Sequence, residues 1–482
     1  MKKQSNPSLI VAAIPVVLLI ATLITTIVLA GASAVTDYGM YALLASGIVA
    51  IVLAVGIYQV PRSQIVSGLK QSASQMLPCV PLLLLIGSVS ASWMLSGVVP
   101  YLVEIGIQVL NPSMYLMLTC LSCAVVSSLI GSSWTTIATL GVAFLGIGSV
   151  FGYDPAWSAG AIISGAYFGD KVSPLSDTTV VASATTEVEI LDLVKYMFIT
   201  TIPAFVVSLL LFWLLGSGHD AISEANADEM LSTLDSTFNI TPWVLVIPAF
   251  TVLLVILRRS TIVTLILSTV AGIVGMLYFQ PHLMAELGAQ GGWETMKTIL
   301  SKICFENTMT TGHEAVDNLV STGGMAGMTT TIILILCAMI FGGAMMGTGF
   351  LERLTRPMST RLARRHSVVG ATIMTGVTMN ALTADQYVSI IISGNVFKPV
   401  YKNAGLPKHL LGRSIQDAVP TTSALIPWNS CGVTQSTVLG VATLAYLPFC
   451  FFNLLSPLSS LLVATITYHR RKKNRTTPPM QE

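Results

Sequence analysis

Long apolar runs recur along the whole chain, and they decide what it can fold into. Ser8–Gly31, Tyr38–Val60, Cys79–Gly97, Tyr196–Gly216, Pro242–Leu257, Thr261–Phe279, Met328–Phe350 and Gly440–Thr467 have the length and composition of segments that cross a bilayer as helices. Only 10% of the 482 residues are charged, against about 25% in a soluble domain. Such a chain has little polar surface to offer water, and an all-α polytopic membrane protein is expected. A net charge of +2, with no basic stripe outside the termini, argues against a nucleic-acid partner. Lys2 and Lys3 precede the first run, but that run outlasts the ~7–15-residue apolar core of a signal peptide and another span follows at once. It reads as a retained helix. Cys120 and Cys123 form a C-x-x-C without the second pair a zinc site needs, and read as packing.

Lys and Arg crowd cytoplasmic loops. That rule puts Arg62/Lys70, Lys195, Arg258/Arg259, Arg353–Arg365 and Arg470–Arg475 inside. The acidic loop His219–Asp235 and the stretch Pro281–Gly327 fall outside. Both termini are then cytoplasmic, in a bacterial inner membrane. Along this path Cys79–Gly97 runs outward and Met328–Phe350 runs inward. Each leads into an amphipathic stretch, Val98–Leu110 or Leu351–Arg365. A long apolar segment with a polar break, a second broken helix and an unbroken one follow each time. The two series lie about 253 residues apart, matching Thr119 with Thr372, Leu129 with Leu382, Gly141 with Gly394 and Pro174 with Pro427. Two such units of opposite orientation are the inverted repeats of secondary transporters.

The segments Ser113–Val150 and His366–Phe397 do not fit as single spans. If the second crossed, Lys398, Lys402, Lys408 and Arg413 would lie outside, against the charge rule. Two re-entrant hairpins are expected instead, with tips near Gly131–Thr136 and Thr383–Tyr387, beside about ten full spans. The expected organisation is two N-terminal helices (1–70) and a first repeat (71–217, with hairpin 113–150 and broken helix 156–190). An acidic loop, two linking helices and an external segment follow (218–327). A second repeat (328–467, with hairpin 366–397 and broken helix 408–435) and a basic tail (468–482) complete it.

Four polar clusters interrupt the apolar segments: Gly131–Thr136, Gly169–Thr179, Met379–Tyr387 and Gln416–Cys431. Na⁺ is a hard cation that prefers hydroxyl, amide, carboxylate and bare carbonyl oxygens. Pro174 and Pro427 break their helices, freeing carbonyls and leaving half-helix dipole ends aimed at the gap. Asp170, Asp177, Asp385 and Asp417 supply charge, and a carboxylate inside a membrane is costly enough to imply function. One such group, able to hold either H⁺ or Na⁺, is the minimum for antiport. Bland readings stand beside these. Lys171 is a ready partner for Asp170, and Arg413, one turn before Asp417, pairs with it at i,i+4. Isolated Ser and Thr bond back to the i−4 carbonyl. Ser132, Thr135, Ser173, Thr178, Thr383, Asn429 and Ser430 cluster at the expected breaks and read as ion or substrate contacts. Trp134 and Tyr387 match across the repeat, as tip packing or as a gate. Glu104, His313, His366 and His409 read as interfacial or loop residues.

The runs GSSWTTIATLG, GAIISGAYFGDKVSPLSDTTVVAS, MNALTADQYVSIII and IPWNSCGVTQ resemble the NhaC Na⁺/H⁺ antiporter family, over roughly residues 10–470. The resemblance implies a secondary transporter with inverted repeats and re-entrant hairpins that expels Na⁺ in exchange for H⁺, with no cofactor. It implies Asp170, Ser173, Asp177, Thr178, Asp385 and Asn429 as ion-site residues, with Asp170, Asp177 and Asp385 coupling the proton. Relatives in this family exchange organic acids such as malate and lactate, so a Na⁺- and H⁺-coupled organic-acid or amino-acid transporter is the alternative, with Lys171, Arg413 or a half-helix N-terminus as the carboxylate contact. An enzyme is not expected, since H-E-x-x-H, G-x-S-x-G and P-loop motifs are absent. The expected partners are membrane lipid, Na⁺ and H⁺, with a homodimer left open.

Overall fold

Proline, glycine and short polar caps set where each helix starts and stops. The computed structural model describes residues 7–31, 34–218, 224–257, 259–289, 291–305, 308–309, 311–312, 316–317, 320–359 and 365–476. Leu9–Ala30 (α1) is capped by Ser8 and followed by Ala34–Tyr58 (α2), Arg62–Met76 (α3), Cys79–Leu95 (α4) and Val98–Val109 (α5). Tyr115–Ile130 (α6) and Ser133–Val150 (α7, with a π-helical turn at Ile137–Gly141) come next. Pro155–Val172 (α8), Asp177–Thr186 (α9) and Ile190–Gly216 (α10) complete the first series. Linking helices are Glu224–Thr237 (α11), Val246–Ile256 (α12), Thr261–Phe279 (α13), Pro281–Glu286 (α14) and Gly292–Cys304 (α15). The second series runs Thr329–Gly347 (α16), Phe350–Thr355 (α17), Arg365–Thr383 (α18), Gln386–Asn403 (α19) and Lys408–Ser423 (α20). Ser430–Leu439 (α21), Thr443–Tyr446 (α22) and Phe451–Thr476 (α23) end it. Among the described residues, eight helices are long and apolar enough to cross a membrane, and ten if two bent pairs each count as one. The protein is an all-α, multi-pass membrane protein.

Three elements differ from the sequence expectation. The expected unbroken span Gly440–Thr467 bends by 55° between Thr443–Phe449 and Phe451–Ile466, because Pro448 and the turn at Cys450 interrupt the helix. Helix α3 is not among the expected spans, because RSQIVSGLKQSASQM is too polar to register as an apolar run, and it straddles the boundary placed at residue 70. It is held by close packing on α16: a Cβ on Gly68 would lie 2.4 Å from the Gly347 nitrogen. Small residues allow such approach where apolar surface gives no preference over lipid. The acidic loop contains a helix, α11, from Glu224 onward. Its residues 219–223, together with Arg258 and His313, lie outside the described residues.

The first hairpin is α6 and α7. Tyr115, at the start of α6, donates its hydroxyl to the Phe144 carbonyl at 2.6 Å and packs edge-on against Phe151. The arms are therefore antiparallel, with both ends together. The second is α18 and α19, where Thr372 and Tyr401 meet at 3.2 Å. The two enter from opposite ends of the bundle. Tyr153, at the base of the first, hydrogen-bonds the carbonyls of Pro112 (2.8 Å) and Gly216 (3.5 Å), at the C-terminal end of α10. At the base of the second, Lys398 and Lys408 both pair with Glu187, just before the N-terminal end of α10. The arms are longer than a shallow loop. At about 1.5 Å per residue, the 18 residues of α7 extend about 27 Å, and α6 and α7 each have the length and apolarity of a span. In the sequence they read as one run because only Gly131 divides them.

Candidate functional site

Each hairpin tip turns on one left-handed residue: Gly131 at φ 74° and Ala384 at φ 57°. A side chain then caps the helix that leaves the tip. Ser132 Oγ accepts the Thr135 N–H at 3.3 Å, and Asp385 Oδ1 accepts that of Val388 at 2.9 Å. The broken helices repeat the pattern. Around Pro174 the chain leaves α8 and restarts at α9 on Ser176, whose Oγ accepts the Thr179 N–H at 3.5 Å. Around Pro427 it leaves α20 and restarts at α21 on Asn429, whose Oδ1 accepts the Cys431 N–H at 3.1 Å. Tip with tip and cap with cap lie 253 residues apart, and α9 and α21 start and stop at that same offset.

The two tips and the first broken helix border a pocket of about 60 Å³. Ser132, Trp134 and Thr135 enter from the first tip, Gln386 and Tyr387 from the second, and Asp170, Asp177 and Thr178 from the first broken helix. Asp170 is brought there by packing. A Cβ on Gly165 would lie 2.1 Å from the Cys120 carbonyl oxygen and one on Gly169 2.4 Å from that of Ala124, so α8 lies close against α6. Ser127 adds a hydrogen bond to the Ala166 carbonyl at 2.6 Å. Cys120 and Cys123 are buried, unpaired packing residues of this interface. Ser133 donates to Asp170 Oδ2 at 2.7 Å. Asp177, exposed at the mouth, also lines an adjoining chamber of about 220 Å³ with Ser132, Thr135, Arg259, Ser260, Thr261 and Thr264. Residue spacing singles out neither Ser133 nor Arg259. Ser133 is one hydroxyl among several in the tip cluster, and Arg259 reads in the sequence only as a topology marker.

A second polar cluster surrounds Asp385, which is fully buried and does not itself line the pocket. Ser430 Oγ donates to Asp385 Oδ2 at 3.4 Å and the Ser430 N–H to the Ala384 carbonyl at 2.9 Å. Thr383 and Ser389 donate to the Asp385 carbonyl at 3.0 and 2.7 Å. Asn429 donates to the Asn380 carbonyl at 3.1 Å. Of the ten expected contact residues, Ser132, Thr135, Asp170, Asp177 and Thr178 line the pocket. Thr383, Asp385, Asn429 and Ser430 form the buried cluster, and Ser173 stands apart, its Oγ accepting the Leu175 N–H at 3.3 Å.

Lys171 does not pair with Asp170. Consecutive helical residues point about 100° apart, and Lys171 turns the other way, onto Asp417 Oδ1 (2.5 Å) and Ser456 Oγ (2.8 Å). Arg413 Nε lies 3.7 Å from Asp417 Oδ2, as the i,i+4 spacing suggested, and its guanidinium stacks over Tyr196. Thr200 donates to Asp417 Oδ1 at 3.0 Å. All three charged groups are buried, and none lines the pocket or the chamber. This ion-paired set joins α8 to α20 and α23, and the alternative role of Lys171 or Arg413 as a substrate carboxylate contact loses its geometry.

Residues 165–466 match the family model described as the Na⁺/H⁺ antiporter family. The chain is 36% identical over 383 residues to the Na⁺/H⁺ antiporter NhaC of Alkalihalophilus pseudofirmus, covering 79% of this chain and 80% of that protein. It is 33% identical over 404 residues to the Na⁺/H⁺ antiporter NhaC of Bacillus subtilis (83% and 86%). It is also 30% identical over 383 residues to the malate-2H⁺/Na⁺-lactate antiporter of Bacillus subtilis (78% of each). The matched stretch contains both helix breaks, the second tip and Asp170, Asp177 and Asp385. The chain belongs to the NhaC-type Na⁺/H⁺ antiporter family.

Proposed function

We propose that this protein exchanges Na⁺ for H⁺ across the cytoplasmic membrane by alternating access, using the carboxylates gathered at the hairpin tips. The observation that carries the reading is the pocket in which Asp170 and Asp177 face hydroxyl oxygens between two helix tips and a broken helix. It has room for a small ion with a water or two. Asp170, largely buried and steadied by Ser133, and Asp177, open to the chamber, are the ion-binding pair, with Ser132, Thr135 and Thr178 as neutral oxygen donors. Asp385, buried among Ser430, Thr383 and Ser389, couples the proton. Loss of the proton exposes a carboxylate charge that Na⁺ then neutralises, so either ion can load but both together are disfavoured. The end bearing Lys195, Arg259, Lys398 and Lys408 faces the cytoplasm by the positive-inside rule, with both termini on that side. The pocket then opens inward, which suits Na⁺ loading from the cell.

A second reading has one observation in its favour. Arg259 and five hydroxyl-bearing residues share the 220 Å³ chamber, which suits a small carboxylate. Labelled malate, lactate and amino-acid uptake distinguishes it from simple cation exchange. Asp177→Asn and Asp385→Asn, made separately, test the site itself. If both variants fold and exchange Na⁺ for H⁺ at the parent rate, the assignment fails.

A further inference from the structure

The pocket between the tips is not the only opening into the bundle. A second cavity of about 580 Å³ lies toward the opposite end, lined by Ser90 and Met94 of α4, Leu145 and Ser149 of α7, and Thr437 and Leu439 of α21. The same helix walls both: Ile86 is the last α4 residue of the inner pocket and Gly87 the first of the outer cavity. One residue of an α-helix rises about 1.5 Å, so along α4 the two spaces are separated by very little. What divides them comes from the other walls. On α7 the stretch between Thr135, which lines the inner pocket, and Val142, which lines the outer cavity, includes the π-helical turn. Its residues Thr136, Ile137, Ala138 and Thr139 are buried. On α21, Val433 and Thr434 are buried, and one turn further on Thr437 meets Thr331 of α16, hydroxyl to hydroxyl, at 2.5 Å. Thr437 already donates to the Val433 carbonyl at 2.9 Å, so Thr331 is the donor. The bond ties α21, which walls the outer cavity, to α16, which begins beside the cavity residue Met328.

We propose that the Thr331–Thr437 contact latches the closed outer gate of the carrier, and that the π-helical turn Ile137–Gly141 is the hinge on which the first hairpin moves when that gate opens. The inference rests on alternating access at the pocket between the tips. A latch should be local, weak and reversible, and one hydroxyl–hydroxyl hydrogen bond at the rim of a cavity is all three. A π-helical turn gives up regular i→i−4 bonding in mid-helix, and such turns concentrate where helices bend or serve a function. Here it falls at the depth where inner lining gives way to outer lining. Opening requires α21 to part from α16 while the tip carrying Ser132 and Thr135 moves relative to the arm carrying Leu145 and Ser149.

The test is a reversible lock. Thr331→Cys and Thr437→Cys are combined in the full-length protein in sealed vesicles, with each single variant and the parent as controls. Side chains in end-to-end contact lie within reach of the ~3.5–4.5 Å Cβ separation a disulfide needs. Oxidation, verified by mass spectrometry, is expected to cut Na⁺/H⁺ exchange at least about 20-fold, and reductant to restore it. Oxidised single variants keep the activity of their reduced forms. ²²Na⁺ binding to the detergent-purified, cross-linked protein should persist, because the inner pocket stays open. Unchanged exchange by the verified cross-linked protein overturns the latch. So does failure of the pair to cross-link in an active double variant, which would show that the residues do not meet. If the lock works but Asp177→Asn and Asp385→Asn are both silent, the gate stands and the ion-site assignment falls.

Discussion

Replacing Asp170 by Asn removes a charge and little else. The carboxyl accepts the Ser133 hydroxyl at 2.7 Å, and an amide oxygen can accept the same bond, so the tip should stay docked on α8. The electrostatic loss is large. A carboxylate oxygen and Na⁺ at roughly 2.4 Å attract by about 7 kcal/mol at an effective dielectric constant near 20. The amide dipole and the nearby Asp177 recover part of that. A residual loss of only ~3 kcal/mol would raise the Na⁺ concentration for half-maximal exchange about 150-fold. The measurement is exchange rate against Na⁺ concentration in vesicles, paired with a thiol-dye unfolding assay. Six of the seven cysteines are buried and unpaired, so the dye reports unfolding. The Asp170→Asn protein should unfold like the parent yet fail to saturate with Na⁺. Ser133→Ala, which removes one charge-assisted bond, should raise the half-maximal concentration by about tenfold, in keeping with ~1.5 kcal/mol. A folded Asp170→Asn variant with the parent's Na⁺ dependence would refute the reasoning.

Asp385 has two jobs, and two substitutions separate them. Asp385→Asn keeps a capping acceptor for the Val388 N–H, so the protein should stay stable and lose exchange, whereas Asp385→Ala should also cost about 1–2 kcal/mol of stability on the unfolding assay. Lys171→Met strips a buried Asp417 of its closest partner and should cost about 3–5 kcal/mol, seen as low yield and early unfolding, while replacing the whole set (Lys171→Met, Arg413→Met and Asp417→Leu together) recovers most of it. Ala384 sits at φ 57° with a Cβ to strain, so Ala384→Gly should be neutral or stabilise by up to about 1 kcal/mol, and Gly131→Val at φ 74° should destabilise by at least that much. Glu187 is exposed at the end of α9, and hydrogen bonds from Lys398 and Lys408 hold its carboxyl down to about 2, from an ordinary value of 4.5. A lowered pKa contributes stability that is complete above about pH 4.5 and fades as pH falls toward 2. Glu187→Gln should therefore leave the pH profile of exchange between about pH 6 and 9 unshifted, and a shift there would contradict the assignment.

Much of this architecture was legible because it is written locally. Pro174 and Pro427 each interrupt an apolar helix, and the structure breaks both chains around them. The 253-residue offset, visible as four scattered identities, reappears as matched caps at Ser132 and Asp385 and at Ser176 and Asn429. The Arg413–Asp417 contact was readable because it spans one helical turn. Lys171 with Asp417 was not, because 246 residues separate them and nothing near either names the other. By sequence alone, Lys171 looks like a partner for its neighbour. Helix α3 was hidden by its polarity, since it packs through a narrow stripe of Ile65, Gly68 and Leu69 against α16 rather than through a long apolar run. The split of the polar residues between an open pocket and a buried cluster depends on how two distant tips meet, which residue spacing does not encode.

Coupling of Na⁺ to H⁺ by this chain is tested most directly by reconstituting the purified protein in sealed vesicles with a pH dye inside and adding Na⁺ outside. Antiport requires a pH change on adding NaCl, none on adding choline chloride, and loss of the response in Asp170→Asn. No response to NaCl alone, with a response once malate or lactate is also present, would contradict it and make the chamber beside Arg259 the site of an organic acid.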